Sequence, residues 1–240
     1  MSIIKNSNKN LFLVAFLNIK WFEWLLFLIM IFIGGYCVLT DNTHPMWYLI
    51  VNYICSMMGI CCVLLCVHAS WINWIFGIIN TCLYIIILAY NHIFGTMALE
   101  LFYYLPVNII GLIMWQKHLD KTEKYKCKTR VMNWKLRIIM TIIVIFSAII
   151  CHYILIKIGG KTAWLDAFVV VIGLNAMFYE IKRYTEHYYL WIIADFIALI
   201  QWVILADMIM LTKKSIYLIL AVIGLFNWKK LQKERNLENI

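Results

Sequence analysis

The feature that most constrains the fold of this chain is a series of long apolar runs separated by short polar breaks. Eight such runs cover residues 21–39, 47–67, 71–90, 95–115, 137–156, 163–181, 188–207 and 213–228. Each is close to the roughly 20 residues that a helix needs to cross a bilayer core of about 30 Å. Only 14% of the residues are charged, against about 25% in soluble domains. The sequence therefore predicts an all-α integral membrane protein with eight transmembrane helices.

The distribution of lysine and arginine indicates the orientation in the membrane. If the N-terminus is cytoplasmic, 17 of the 21 basic residues fall in inner segments, and the outer segments hold Lys157, Lys161, Lys213 and Lys214. Cytoplasmic loops of membrane proteins are enriched in Lys and Arg. Both termini are therefore expected in the cytoplasm. The net charge of +9 is explained by topology, and the basic segment 116–137 is expected to be a cytoplasmic loop that binds no nucleic acid.

The two halves of the sequence resemble each other. Trp47 and Trp164 are 117 residues apart, as are Trp74 and Trp191, and "ILA" at 87–89 recurs at 204–206. "IIGLIMW" (109–115) reappears as "VIGLFNW" (222–228) after a four-residue shortening. An offset of four spans returns the chain to the same side of the membrane, so the repeats are predicted to be parallel. Parallel repeats are a transporter architecture, with the substrate site near the bilayer midplane between them.

Polar side chains in the first half fall on two helical stripes that predict the walls of such a site. In the third span, the stretch "WIFGIINTCLY" (74–84) places a glycine on the same stripe as Trp74, Asn80 and Tyr84. In the fourth, the stripe holds Glu100, Tyr104 and Asn108, with Tyr103 beside it. An ionised residue within a span costs at least about 2.5–3.5 kcal/mol, so Glu100 is expected to face a cavity.

The second half supplies fewer polar candidates. Asp195 follows Trp191 by four residues, on one helical face, which makes a carboxylate next to an indole and suits a cationic aromatic ligand. Asn175 and Gln201 complete the predicted substrate-binding residues. The charged cluster at the cytoplasmic end of span six is expected to be a solvated loop; it comprises Glu180, Lys182, Arg183, Glu186 and His187.

Other classes of function find less support. The eight cysteines lie almost entirely in apolar runs without zinc-ligand spacing, so neither a metal site nor a cofactor is predicted. A membrane enzyme would have to use Glu100, Asp166 and Asp195 as catalytic carboxylates, and no nucleophile or histidine accompanies them. A structural or assembly subunit is the third alternative.

These segments resemble a known family. "NWIFGIINTCLY" is similar to the W-x-x-G-x-x-N-x-x-L-Y segment of the PnuC family of nicotinamide riboside transporters, and "GTMALELFYYLPVNIIGLIMW" resembles its next helix. "TAWLDAFVVVIGLNAM" and "LWIIADF" resemble segments of its second half. The resemblance implies two parallel three-helix bundles joined by a linker helix, a layout shared with SWEET sugar transporters, in a bacterial cytoplasmic membrane, with a homotrimer as the implied assembly.

The implied divisions are a tail and peripheral helix (1–46), a first bundle (47–115), a basic loop and linker helix (116–162), a second bundle (163–228) and a cytoplasmic tail (229–240). The implied activity is facilitated diffusion of nicotinamide riboside, feeding NAD synthesis. Two positions depart from the family pattern, because Glu100 and Met177 stand where it usually has glutamine. Thiamine, a cationic aromatic vitamin carried by related proteins, therefore stays open as an alternative substrate, and the partners expected are such a vitamin and membrane lipid.

Overall fold

The computed structural model describes residues 11–42, 44–90, 97, 99–120, 124–157, 163–205 and 208–238. Within them every regular element is helical. The helices are α1 (Leu11–Leu17), α2 (Trp21–Thr40), α3 (Met46–Val67), α4 (Asn73–Tyr90), α5 (Leu105–Gln116), α6 (Trp134–Lys157), α7 (Ala163–Ile181), α8 (His187–Leu205) and α9 (Met208–Glu238). A helix satisfies its own backbone hydrogen bonds, which is the requirement of a chain in lipid.

Four of the described helices are long and apolar enough to cross a membrane by themselves. They are Trp21–Thr40, Met46–Val67, Asn73–Tyr90 and the Leu211–Glu234 part of α9. Large apolar side chains such as Phe32, Phe102 and Phe146 are exposed on the outside of the helices, as expected for a surface that meets lipid. The chain is a multi-pass membrane protein, and the count of eight spans stays a prediction.

Two segments differ from the sequence-based prediction. The tail before residue 21 contains α1, and α9 runs from Met208 to Glu238, beyond both ends of the span predicted at 213–228. Lys213 and Lys214, which the charge count assigned to the outer segments, lie inside this helix. The helix extends because neither glycine nor proline interrupts the polar residues that flank its apolar centre.

The fourth predicted span is not one regular helix. A π-helical turn, Glu100–Tyr104, leads directly into α5. Pro106 lies in the first turn of α5 and has no N–H to donate to the preceding turn, so the backbone widens there and Leu105 N–H bonds to Glu100 O. The wider turn carries three candidate residues, Glu100, Tyr103 and Tyr104.

The contacts of the first half recur in the second half at an offset of 113 or 114 residues. Ala69 (φ 54°) and Arg183 (φ 63°) each take the left-handed conformation just after a helix that begins its half. Ser70 N–H then bonds to Leu65 O, and Tyr184 N–H bonds to Tyr179 O, over the same number of residues. Both turns are therefore the same helix-ending motif, built without glycine.

Two tryptophans join the halves reciprocally. Trp115 of α5 donates its Nε1–H to Glu180 O at the end of α7, at 3.1 Å. Trp228 of α9 donates to Cys66 O at the end of α3, at 2.9 Å. Both indoles are fully buried in one cluster that also contains Trp74. The cluster thus fixes the relative position of the two halves.

The described part of the basic segment 116–137 packs between the helix-ending turns at Ala69 and Arg183. Cys127 N–H bonds to Ala69 O at 2.8 Å, and Arg130 N–H bonds to Arg183 O at 2.7 Å. Peripheral helix α2 is held by a buried pair, Glu23 with His68 at 2.7 Å, and packs against α3 and α9. These contacts leave the faces of α3, α4, α5, α7, α8 and α9 to form the interior.

Candidate functional site

A cavity of about 370 Å³ lies between the two halves. Its walls come from α3, α4, the π-helical turn, α5, α7, α8 and α9. Eight of the predicted substrate-binding residues line it: Trp74, Asn80, Tyr84, Glu100, Tyr104, Asn108, Trp191 and Asp195. The two stripes read from the sequence therefore meet at one cavity, of the size that binds small organic molecules.

Two predicted residues, Tyr103 and Asn175, lie outside this lining. The Tyr103 hydroxyl donates to Leu174 O at 2.8 Å, so it joins the π-helical turn to α7. Asn175 donates to Val171 O of its own helix at 2.8 Å. The side chain of Gln201 lies outside the described part of the structure, as does that of Asp166. The Tyr103 hydroxyl bonds another helix and the Asn175 amide bonds its own helix, and sequence spacing reveals neither bond.

The glycine on the α4 stripe allows a close helix crossing. A Cβ at Gly77 would overlap the amide of Asn108 on α5. Asn108 is held there because it donates to Thr81 Oγ1 at 3.3 Å and to Tyr104 O at 2.8 Å. Asn80, three residues after the glycine, accepts a hydrogen bond from Cys55 Sγ at 3.4 Å on its side-chain oxygen. The stripe thus combines a packing position with polar groups at the cavity.

Glu100 shares the cavity with two lysines. It is half-buried, accepts a hydrogen bond from Thr81 and interacts electrostatically with Lys213 and Lys214. Lys213 is buried, and its Nζ lies 5.6 Å from the ring centre of Tyr84 and 5.7 Å from that of Tyr217. Both lysines line the cavity, a place that their count among the outer basic residues did not indicate.

The carboxylate of Asp195 is already paired. Lys214 Nζ lies 2.8 Å from Asp195 Oδ1, and Asp195 is 2% exposed. The indole of Trp191 donates instead to Glu180 Oε2, at 3.1 Å. The predicted pairing of Asp195 with Trp191 for a cationic ligand therefore has to be revised, because a lysine on α9 occupies the carboxylate.

Glu180 and His187 belong to the cavity wall, contrary to the prediction of a solvated loop for their cluster. Both line the cavity and both are buried, as are Arg183 and Glu186. Glu186 accepts hydrogen bonds from Met132 N–H and from Arg137, which explains its burial. The prediction failed because the charged residues lie at the end of α7 and the start of α8, where segment 124–133 packs on Arg183 and Glu186. Asn73 and Cys66 of the other half cover Glu180.

The internal repeat could have indicated Glu180 if the two halves had been aligned at an offset of 114 residues instead of 117. At the offset of 114 residues seen in the structure, Glu180 is equivalent to Cys66 and His187 to Asn73. The offset of 117 aligned Trp74 with Trp191, whereas the structure aligns Trp74 with Tyr188. Trp74 meets Trp115 edge to face at 5.3 Å, and Tyr188 meets Trp228 in the same way at 5.4 Å.

Cys66, Glu180 and His187 also form a set of potential metal ligands. Their ligand atoms lie within 4.8 Å of one another. His187 Nδ1 lies 2.7 Å from Tyr184 O, which leaves Nε2 toward Cys66 Sγ at 3.9 Å. Thiolate, imidazole and carboxylate are zinc ligands. The trio is not visible in the sequence because 114 residues separate its first two members.

Comparisons with known proteins agree with this architecture. Residues 49–230 match the family described as "Nicotinamide mononucleotide transporter". A nicotinamide riboside transporter PnuC from Neisseria mucosa is 28% identical over 196 residues, which is 76% of this chain and 73% of that protein. The Haemophilus influenzae protein of the same name is 28% identical over 217 residues, 89% of this chain and 91% of that protein.

A solved structure shows the same fold. The structure titled "Crystal structure of the Vitamin B3 transporter PnuC" superposes with a TM-score of 0.75 at 25% identity, covering 90% of this chain and 93% of that one. The resemblance read from the sequence is confirmed. Because the family and these relatives are transporters, the chain is a membrane transporter and not an enzyme. It belongs to the nicotinamide mononucleotide transporter family.

Proposed function

We propose that this protein carries nicotinamide riboside across the bacterial cytoplasmic membrane by facilitated diffusion. The observation that supports it most is the cavity between the halves, lined by indole and tyrosine rings together with Glu100, Glu180 and Asp195. Aromatic faces and carboxylates attract an aromatic cation. The relatives from Neisseria and Haemophilus are named for the same substrate. Phosphorylation of the vitamin in the cytoplasm would draw net uptake toward NAD synthesis.

The charges of the cavity favour the nucleoside over the mononucleotide. Among the described residues, three carboxylates and two lysines line it, and their formal charge is negative when all are ionised. Lys214 is paired with Asp195, which leaves few positive groups for a phosphate. A phosphate dianion would have to enter next to Glu100 and Glu180, and like charges in a partly dehydrated site repel strongly.

The layout is part of the proposal. We infer eight spans, with bundles 47–115 and 163–228, linker helix α6 and peripheral helix α2. The reciprocal tryptophan contacts and the common 113–114 offset support parallel bundles. The 17 of 21 basic residues in inner segments support cytoplasmic termini. A homotrimer is inferred from the family resemblance. Cross-linking in native membranes tests it, and the recovery of monomer without cross-linked species would contradict it.

Purified protein in liposomes tests the function. Labelled nicotinamide riboside should equilibrate into the vesicles, exchange with unlabelled vitamin from the opposite side and not accumulate above the outside concentration. Nicotinamide mononucleotide should not compete. Thiamine is the competing substrate, and preferential flux of thiamine would assign the alternative. Failure to bind either vitamin at millimolar concentration would overturn the class of substrate.

A further inference from the structure

The three carboxylates of the cavity differ in their neighbouring positive charges. Asp195 is paired with Lys214, and Glu100 interacts with both Lys213 and Lys214. Glu180 is 7% exposed, and no lysine or arginine lies within ion-pair distance of it in the described part of the chain. Glu180 is therefore the cavity carboxylate that has no lysine or arginine partner among the described residues; its nearest basic group is the imidazole of His187, within 4.8 Å.

Neutral donors hold the Glu180 carboxylate in place. Oε1 accepts from Asn73 Nδ2 at 3.3 Å and from Cys66 Sγ at 3.4 Å, and Oε2 accepts from Trp191 Nε1 at 3.1 Å. These bonds come from α3, α4 and α8, so both oxygens are fixed relative to the cavity. A buried carboxylate with hydrogen bonds but no counter-ion is incompletely compensated, and a cationic ligand supplies the missing charge.

The groups around Glu180 suit an aromatic cation. The indole that donates to its carboxylate, Trp191, lines the cavity, as does the fully buried indole of Trp74. Trp74 Nε1 is buried and has no hydrogen-bond acceptor among the described residues. Indole faces attract cations, and an indole N–H without an acceptor offers a donor to a ligand oxygen.

We propose that Glu180 is the residue that recognises the positive charge of the substrate, with Trp191 and Trp74 as the aromatic walls of the same subsite. The inference rests on the proposed function, because it assumes a cationic aromatic vitamin. It gives Glu100 a lesser part in charge recognition than its place in the sequence suggested, since two lysines oppose it. It also gives the residue pair Glu180 and Trp191 a role that Asp195 and Trp191 were predicted to have.

Calorimetric binding to the purified full-length chain tests this subsite with two ligands. One is nicotinamide riboside, and the other is its neutral C-riboside, in which a ring carbon replaces the pyridinium nitrogen. Glu180→Gln should lower affinity for the cation at least about tenfold and affinity for the neutral ligand no more than about twofold, because only the Coulomb term is removed. Glu180→Asp should retain the preference for the cation. Glu180→Met is the second neutral variant, for use if the glutamine form does not fold.

The matched control is Glu100→Gln, which removes a carboxylate from the same cavity. We expect a selective loss for the cation of no more than about threefold, because the lysines already offset that charge. An equal loss of affinity for both ligands in Glu180→Gln would make Glu180 a structural residue. A larger selective loss in Glu100→Gln would assign charge recognition to Glu100. Either result overturns this inference and leaves the proposed function standing. Stoichiometric zinc that is retained by the wild type and lost in Glu180→Gln would assign the carboxylate to a metal and also overturn it. If the wild type binds neither vitamin, the proposed function fails, and this inference with it.

Discussion

The first and second halves of this transporter share a scaffold but differ in the chemistry of equivalent positions. The helix-ending turns at Ala69 and Arg183, and the tryptophans that join the halves, recur at offsets of 113 or 114 residues. The polar residues do not recur. At an offset of 114 residues, Cys66 is equivalent to Glu180, Asn73 to His187, Thr81 to Asp195, and Glu100 to Lys214.

The difference shows how a duplicated scaffold can hold an asymmetric ligand. The pairs Thr81 with Glu100 and Asp195 with Lys214 occupy equivalent places, yet one is a hydrogen bond and the other is an ion pair. Backbone geometry and large buried rings therefore set where side chains lie, while substitutions at a few repeat-related positions set the charge.

The largest effect is expected from Lys214→Met. It leaves Asp195, which is 2% exposed, without its partner, and an unpaired buried charge costs about 3 kcal/mol. We expect an apparent melting temperature in detergent lower by on the order of 10 °C, measured by scanning fluorimetry at a fixed rate. Asp195→Asn together with Lys214→Met should recover most of this loss, since no charge is left unpaired.

The control for that pair lies in the first half. Thr81→Val removes the hydroxyl from the equivalent position, where it contacts Glu100 and Asn108. Interhelical polar contacts in membranes contribute about 0.6 kcal/mol on average, so the loss should be much smaller than that of Lys214→Met. Equal losses in the two variants, or no recovery in the double variant, would contradict the assignment of the ion pair as the main polar contact.

A smaller effect is expected where each half packs a ring on a glycine. A Cβ at Gly111 would lie 2.6 Å from ring carbons of Trp74, and a Cβ at Gly224 would overlap the ring of Tyr188. Gly224→Ala should cost about 2 kcal/mol and Gly111→Ala about 1 kcal/mol. The halves differ because the Tyr188 hydroxyl is tied to Cys66 O at 3.1 Å, whereas Trp74 Nε1 has no acceptor in the described structure and its ring is freer to shift.

Gly35→Ala is the matched control, because no described atom outside its own helix backbone lies within 4 Å of a Cβ built there. It should leave the melting temperature unchanged or raise it slightly, since alanine favours helix over glycine. If Gly111→Ala lowers the melting temperature more than Gly224→Ala does, the hydrogen bond of the Tyr188 hydroxyl to Cys66 O does not hold the Tyr188 ring more firmly than the Trp74 ring.

The helices and eight of the cavity-lining residues were predictable because period and polarity report a helical face directly. Trp74, Asn80 and Tyr84 follow one stripe, and that stripe meets the cavity. The resemblance to the PnuC family was likewise carried by local segments. These features depend on residues a few positions apart, which a single sequence displays.

The partners of the charged residues were not predictable, because they come from distant segments. Lys214 reaches Asp195 from the next helix, and Glu180 is covered by Asn73 and Cys66 from the other half. In the sequence, Glu180 and His187 flank a run of charged and polar residues that resembles a solvated loop. Burial there depends on how segment 124–133 folds over both turns, which composition does not indicate.

The smallest effect concerns the two tryptophans that join the halves, and it is a difference between variants. Trp115→Phe and Trp228→Phe remove the same atoms from one fully buried cluster, so the cost of lost packing should be similar. Their acceptors differ, however. Glu180 O keeps a bond from Arg183 N–H when Trp115 is replaced, whereas Cys66 O keeps bonds from both Ala69 N–H and the Tyr188 hydroxyl when Trp228 is replaced.

A carbonyl oxygen with two remaining donors is fully satisfied, so Trp228→Phe should lose less hydrogen-bond energy than Trp115→Phe. The expected difference is about 1 kcal/mol, or roughly 2–4 °C in apparent melting temperature for a chain of this size. Both variants are compared at the same scan rate and detergent concentration, because unfolding in detergent is not expected to be reversible. Equal melting temperatures would show that the second donors on Cys66 O add nothing, and that the reciprocal bonds are equivalent in energy as well as in position.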